Sequence, residues 1–282
     1  MLKNGLSLFQ MIFYSPAKIN LGLQVLNRRS DGFHNIQTIM HLTGLCDILE
    51  IIRSGKDDAP LTFTQSGLAL EPDSSKNLCI SAWEALQQEV RLPPLTMHLH
   101  KQIPVGAGLG GGSSNATFTL RGINTIMGHP LPPEALHRMA ASLGSDCAFF
   151  LYDRPMLAEG RGELLSPVDL QLSGLFLVLF VTGIHISTAG AYAGIDPAPG
   201  KLDLRELAKH PVRIWKEILS NDFEIPVFRN HPELEDLKDS IYRAGAMYAS
   251  LSGSGAAIYG IFEKKPDLPA DLLKAVLWKG RL

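Results

Sequence analysis

One stretch of this chain restricts its fold more than any other: Pro104-Val105-Gly106-Ala107-Gly108-Leu109-Gly110-Gly111-Gly112-Ser113-Ser114-Asn115-Ala116. Five of the seven residues from Gly106 to Gly112 are glycine. Glycine loses more conformational freedom on folding than any other residue, so a folded chain concentrates it where backbone must come close to something. After the glycines, Ala116, Leu120, Ile123 and Met127 recur at helical spacing, and Ser113 or Ser114 is expected to cap the helix. A glycine loop feeding a helix N-terminus presents unpaired N–H groups and the positive end of the helix dipole, which together suit a phosphate group.

Three readings of the loop compete. A Walker loop needs Lys-Ser/Thr after its last glycine, whereas Gly112 is followed by Ser113-Ser114. Gly106-Ala107-Gly108-Leu109-Gly110-Gly111 matches the dinucleotide fingerprint letter for letter, but that motif belongs after a buried parallel strand. Here the preceding segment alternates Leu95, Met97, Leu99 with Thr96, His98, His100, a strand with one wetted face as in antiparallel sheets. A flexible linker fits poorly between strand and helix signals. Phosphate binding without a Walker lysine is what remains.

Composition narrows the partners. A length of 282 residues suggests two domains, and 45% hydrophobic with 19% charged residues excludes a disordered chain. The apolar run Leu175 to Val181 is too short to cross a bilayer. Met1 to Gln10 reads as a poor secretory signal, and Met11 is an alternative start. The odd cysteine count (Cys46, Cys79, Cys147) argues against a disulfide framework and points to a reducing cytoplasm. A net charge of −2 offers no basic field for nucleic acid. A polyanionic nucleotide would therefore have to be held by local amides and a few placed cations.

Along the chain, Phe13 to Val25 alternates as a strand, with Lys18 and Asn20 on one face about 7 Å apart. A lone lysine there is most often a solvated edge residue. Asn27 to Gly32 reads as a turn, and Asp47 to Arg53 and Leu61 to Thr64 as strands, the second bounded by Asp57-Asp58. Asn77 is expected to cap a helix marked by Leu78, Ala82, Leu86 and Val90. Pro132-Pro133 opens another helix, which Gly144 stops. Asp146 then stands beside an apolar run, the place of a cap or turn residue. Met156 to Val168 reads as a hairpin around Gly160-Arg161-Gly162, and Leu175 to Val181 as a buried strand. Helices are expected at 203–208, 213–219, 233–243 and 267–278, with strands at 247–251 and 256–262 flanking Ser252-Gly253-Ser254-Gly255.

The residues Pro104 to Ala116, with Ser15-Pro16-Ala17-Lys18-Ile19-Asn20-Leu21 and Arg29-Ser30-Asp31-Gly32-Phe33-His34, resemble the motifs of the GHMP small-molecule kinases, in family order. The resemblance runs from about Ile12 to Phe262 and implies an α+β fold in two domains. These are residues 1–166, with the phosphate loop, and a smaller ferredoxin-like half, residues 167–282. It implies ATP as phosphoryl donor, bound by Pro104, Val105, Gly106, Ala107, Gly108, Leu109, Gly110, Gly111, Gly112, Ser113 and Ser114. Mg²⁺ is implied as well, with Ser114 the best hydroxyl to approach it and no carboxylate assigned. Lys18 and Asp146 are the implied catalytic pair, although Ser145 and Cys147-Ala148 depart from the Gly-Ala-Asp-Val-Pro common in the family. The motifs narrow to members whose small-molecule acceptor is a cytidylated methylerythritol. There Phe33 would stack on cytosine, His34 and Asn20 would bond the substrate, and Thr188, Tyr192, Gly253 and Ser254 would complete its site. The rivals are a family kinase for an alcohol lacking cytidine, and a non-catalytic nucleotide-binding module.

Overall fold

The computed structural model describes residues 10–55, 58–68, 77–197 and 202–282. The segment ahead of Gln10, which bears on the alternative start at Met11, lies outside the described residues, as does Asp57. The chain forms two compact units, one comprising the chain up to Pro16 with Cys46–Ile103 and Gly111–Leu151, the other Ala17–Leu45, Pro104–Gly110 and Tyr152–Leu282. Two long strands, β1 (Gln10–Arg28) and β2 (His34–Arg53), thread both units and pair with each other.

In the first unit, Ile48–Arg53 of β2 runs antiparallel to β4 (Leu95–Lys101), and β3 (Leu61–Gly67) joins β4 in parallel. The antiparallel setting expected for β4 thus holds on one of its two sides. Its alternation is as expected: Leu95, Met97, Leu99 and Lys101 are buried, the intervening residues half-buried. Three helices, α1 (Leu78–Glu89), α2 (Gly111–Ile126) and α3 (Pro133–Leu143), pack together with a 3-10 turn at Cys147–Leu151. Asn77 caps α1 by accepting the Cys79 N–H at 2.9 Å. Leu49, Ile51, Met97, Ala82, Leu86, Leu120, Ile123 and Phe149 are buried here. Burying each large side chain of this set contributes about 1.5–3 kcal/mol.

One expectation fails in this unit and another holds by a different geometry. The helix after the glycine loop begins at Gly111, so Ser113 and Ser114 lie inside its first turn and cannot cap it. Gly144 does end α3, as expected, but through extended backbone at φ 173° and not through the usual left-handed C-cap conformation.

In the second unit, Thr38–Met40 of β2 pairs with β5 (Met156–Glu159), which turns back into β6 (Leu164–Pro167). A separate antiparallel sheet has the order β10-β7-β9-β8, built from β7 (Phe176–Phe180), β8 (Tyr248–Leu251), β9 (Ile258–Phe262) and β10 (Val276–Arg281). Helices α4 (Thr188–Ala193), α5 (Trp215–Ile218), α6 (Glu224–Asn230) and α7 (Pro232–Arg243) fall between β7 and β8, and α8 (Ala270–Ala275) between β9 and β10. That is the β-α-β-β-α-β succession of a ferredoxin-like layer, as expected. Val178, Phe180, Phe223, Val227, Leu234, Ile241, Ile258 and Phe262 form its core.

Several expected helices differ. Residues Leu204–Lys209 and Val212–Ile214 are 3-10 turns, and only Trp215–Ile218 of the expected 213–219 helix is α-helical. The helix expected to reach Trp278 stops at Ala275, because Val276–Arg281 pairs with β7. Sheet pairing overrides a helical pattern when the side chains fit a pleated surface. Helix α6 lies outside the expected helices; Pro226 sits in its first turn, where no intrahelical N–H is required.

Candidate active site

In the second unit the glycine loop alternates into left-handed backbone, with φ 71° at Gly106, 77° at Gly108 and 70° at Gly110. Its carbonyls are pinned from three directions. Lys18 N–H donates to Leu109 O at 2.9 Å, Ala257 N–H to Ala107 O at 3.1 Å, and Ser252 Oγ to Gly108 O at 3.0 Å. These bonds engage carbonyls and leave the loop's N–H groups for a ligand, the orientation an anion requires. Gly108 shows why no other residue serves: a Cβ there would lie 1.9 Å from Ser252 O, a backbone atom. Gly108→Ala is therefore expected to displace the Ser252–Gly255 turn from the loop. Beyond the clash, left-handed strain alone is about 1–2 kcal/mol. A fall in melting temperature together with weakened ADP binding, by calorimetry, is the expected result; unchanged ADP affinity would contradict it.

Lys18 and Asn20 do lie side by side on β1. Lys18 is 3% exposed, not a solvated edge residue, and its Nζ donates to Asn20 Oδ1. Asn20 Nδ2 donates to Thr38 Oγ1 at 3.1 Å, and Thr38 Oγ1 donates to Gly22 O at 2.5 Å. Tyr259 OH donates to Asn20 O at 2.8 Å. A Cβ on Gly253 would sit 3.4 Å from both Lys18 Nζ and Asn20 Oδ1, and 3.3 Å from Gly108 O. Lys18, Asn20, Gly108 and Gly253 thus converge, with half-buried Ser254 next in the same turn. A buried ammonium oriented by an amide is suited to meeting an anion without reorganising.

The aromatic residues separate into two groups. His34 and Tyr192 stack on each other, centroids 4.8 Å apart and planes 13° from parallel, and Phe223 meets Tyr192 edge-on at 4.8 Å. Phe33 stands apart, 52% exposed, with the Arg161 guanidinium 5.0 Å from its ring centroid. One polarised, solvent-facing ring is a ready platform for a planar base. Thr188 is exposed as the first residue of α4, whose cap is the Ser187 hydroxyl accepting Gly190 N–H at 3.1 Å.

In the first unit, the free N–H groups at the start of α2 belong to Gly111, Gly112, Ser113 and Ser114. The Ser114 hydroxyl is buried and has no hydrogen-bond partner among the described residues. Ser113 interacts with the Cys147 thiol, and Thr117 Oγ1 donates to Cys147 O at 2.7 Å. Both contacts tie the residue following Asp146 to the first two turns of α2. Burial pushes the Cys147 thiol up to about 11, so it is a neutral packing group at physiological pH. Asp146 itself is half-buried and accepts the Phe149 N–H through its carbonyl at 3.3 Å.

A buried polar cluster in this unit was not anticipated. Asp47 Oδ1 accepts the main-chain N–H groups of Gln102 at 2.7 Å and Ile103 at 2.8 Å. Asp47 Oδ2 accepts Lys101 Nζ and, at 2.9 Å, Asn115 Nδ2. Lys101 Nζ also donates to Asn115 Oδ1 at 3.1 Å, and Asn115 Nδ2 to Ser15 Oγ at 2.7 Å. One carboxylate therefore grips both flanks of the glycine loop. A signal was available in the sequence: Asp47 shares strand parity with Leu45, Leu49 and Ile51, and Lys101 with Leu95, Met97 and Leu99. Opposite charges on two inward faces call for each other.

Among the described residues, no group of three or more His, Cys, Asp or Glu could hold a metal ion, and no helix is long and apolar enough to cross a membrane. Comparison with known proteins agrees with the geometry. The family model described as GHMP kinases N terminal domain matches residues 77–154, and that described as GHMP kinases C terminal matches residues 203–276. A 4-diphosphocytidyl-2-C-methyl-D-erythritol kinase of Parabacteroides distasonis is 42% identical over 96% of this chain and 100% of its own. One of Citrifermentans bemidjiense is 35% identical over 94% and 95%. A crystal structure of 4-(cytidine 5'-diphospho)-2C-methyl-D-erythritol kinase superposes with a TM-score of 0.76 at 31% identity, covering 89% of this chain and 90% of that one. The Methanococcus jannaschii mevalonate kinase, 14% identical with a TM-score of 0.65 over 94% and 92%, shares the fold. With two family models together covering more than half of its length and a relative 42% identical over 96% of it, this chain belongs to the GHMP kinase family.

Proposed function

We propose that this chain transfers the terminal phosphoryl group of ATP to the 2-hydroxyl of 4-diphosphocytidyl-2-C-methyl-D-erythritol, a step in the supply of isoprenoid precursors. The observation that supports it most directly is the convergence of Lys18, Asn20, Gly108 and Gly253: a buried ammonium beside an amide-lined loop. Full-length relatives named for this activity support the acceptor.

Phosphoryl transfer asks a protein mainly to position reactants and neutralise charge. In this reading Pro104–Ser114 wraps the ATP phosphates through main-chain N–H groups. Lys18 stabilises charge on the transferring group, and Asp146 accepts the proton of the attacking hydroxyl. Asn20, His34, Thr188, Tyr192, Gly253 and Ser254 hold the acceptor, and Phe33 offers its exposed face to cytosine. Because stacking tolerates any base, choice of cytosine has to come from hydrogen bonds. The orphaned Ser114 hydroxyl suits a hard cation, so Ser114 is the residue that would help hold Mg²⁺. Bound there, the ion would neutralise phosphate charge. The boundary near residue 166, separating phosphate-loop and ferredoxin-like halves along the chain, and a cytoplasmic location belong to the same proposal.

The test is phosphorylation of the complete acceptor compared with 2-C-methyl-D-erythritol 4-phosphate, which lacks the cytidine half. Efficient turnover of the truncated alcohol would indicate a different family kinase, and ATP consumption indifferent to any acceptor would leave only a nucleotide binder. Within the assay, Phe33→Ala is expected to raise KM for the cytidylated acceptor about 10- to 100-fold, the loss of one base–aromatic stack. KM for ATP should stay unchanged; a parallel rise in both would argue against Phe33 as the cytosine platform.

A further inference from the structure

The glycine loop contains no lysine, arginine or histidine between Pro104 and Ser114. Another part of the second unit brings one to it. A Cβ built on Gly106 would lie 2.9 Å from Cε1 and 3.1 Å from Nδ1 of His185, so the imidazole occupies the space a side chain at 106 would need. His185 is exposed and makes no hydrogen bond among the described residues. Gly106 has φ 71° and is exposed as well. An imidazole always carries at least one N–H donor, and here that ring lies against main chain already shaped to present amides outward. Two residues further on, Ser187 caps α4, the helix whose Tyr192 stacks on His34. His185 therefore lies against the loop in space and just ahead of α4 in the chain.

We propose that His185 is a phosphate-contacting residue at the first turn of the glycine loop, adding an imidazole N–H to the main-chain donors near Gly106. The inference rests on the reading of that loop as a phosphate site. The phosphate has two sources of the same chemistry: the polyphosphate of the donor nucleotide, or the diphosphate linking cytidine to the acceptor alcohol. The contact with Gly106 puts the ring at the loop, and His185 precedes Thr188 and Tyr192 by three and seven residues in the chain, so the ligand series is chosen to tell the two sources apart. A hydrogen bond to a charged oxygen sets the expected effect at about 10- to 100-fold in affinity.

The test uses calorimetric titration of full-length wild type, His185→Ala and His185→Gln with ADP, CDP and cytidine. Loss of about 10- to 100-fold in affinity for ADP alone assigns the ring to the donor, and for CDP alone to the acceptor. Cytidine affinity should not move, and His185→Gln, which keeps an N–H donor, should lose less than His185→Ala. Diphosphate affinities within twofold of wild type in both variants would overturn the inference. So would equal losses for cytidine and CDP, which mark a merely structural ring. Wild-type protein that binds neither ADP nor CDP would instead overturn the phosphate reading of the loop, and the inference with it; wild-type turnover of the cytidylated acceptor keeps the two failures distinct.

Discussion

Asp146→Asn is expected to lower turnover by about 10²- to 10⁴-fold, the usual worth of a positioned general base, while leaving fold and ATP affinity nearly unchanged. Asparagine has the same shape but cannot accept the proton. The surroundings argue that the fold will tolerate it. Cys147 stays tied to α2 through Thr117 Oγ1 at 2.7 Å and through Ser113, and the main-chain bond from Phe149 N–H to Asp146 O does not involve the side chain. The measurement is steady-state kinetics with both substrates varied, beside a thermal melt of the same preparation. A loss confined to kcat identifies an interaction made in the transition state. Turnover within a few fold of wild type would remove Asp146 from the base role and leave hydroxyl activation to other groups.

The largest stability loss is expected from Asp47→Ala. Asp47 is fully buried and satisfies two main-chain N–H groups, an ammonium and an amide. Removing it strands Lys101 in the interior, and breaking a buried pair from one side destabilises by about 3–5 kcal/mol. Replacing both partners with apolar residues avoids the stranded charge, so Asp47→Leu with Lys101→Met should recover part of the loss, although the N–H groups of Gln102 and Ile103 remain unpaired. Urea unfolding measures both. If Asp47→Ala and the double variant lose the same stability, the charge on Lys101 is not what makes the single change severe. Because the same carboxylate grips residues 102 and 103 and reaches Asn115 in α2, weaker ADP binding is expected to accompany the loss.

How much could be read in advance depends on the range of the interaction. Asn77 as a cap, the hairpin from Met156 to Pro167, and the turn at Ser252–Gly255 are encoded within a few residues, and all are found. Where the outcome depended on a distant partner, local pattern misled. Residues 267–278 read as one helix, yet the pairing of Val276–Arg281 with Phe176–Phe180 makes the end of that segment a strand. Ser113 and Ser114 have the chemistry of caps, but the helix starts earlier at Gly111. Helical preference is a difference of less than about 1 kcal/mol per residue, and a ladder of sheet hydrogen bonds outweighs it.

The candidate site divides in the same way. The glycine density, the absent Walker lysine, and the motifs around Lys18, His34 and Asp146 are properties of the chain written out in a line, and they were sufficient to indicate the family. Three things needed folded coordinates: the burial of Lys18 against Asn20, the stacking of His34 on Tyr192 with Phe33 left in solvent, and the Asp47 grip on both flanks of the loop. Local chemistry follows from residue type and spacing, whereas the partner that a buried charge or ring meets is set by packing among residues far apart in sequence. A sequence therefore announces which groups are available, and only the fold decides which of them touch.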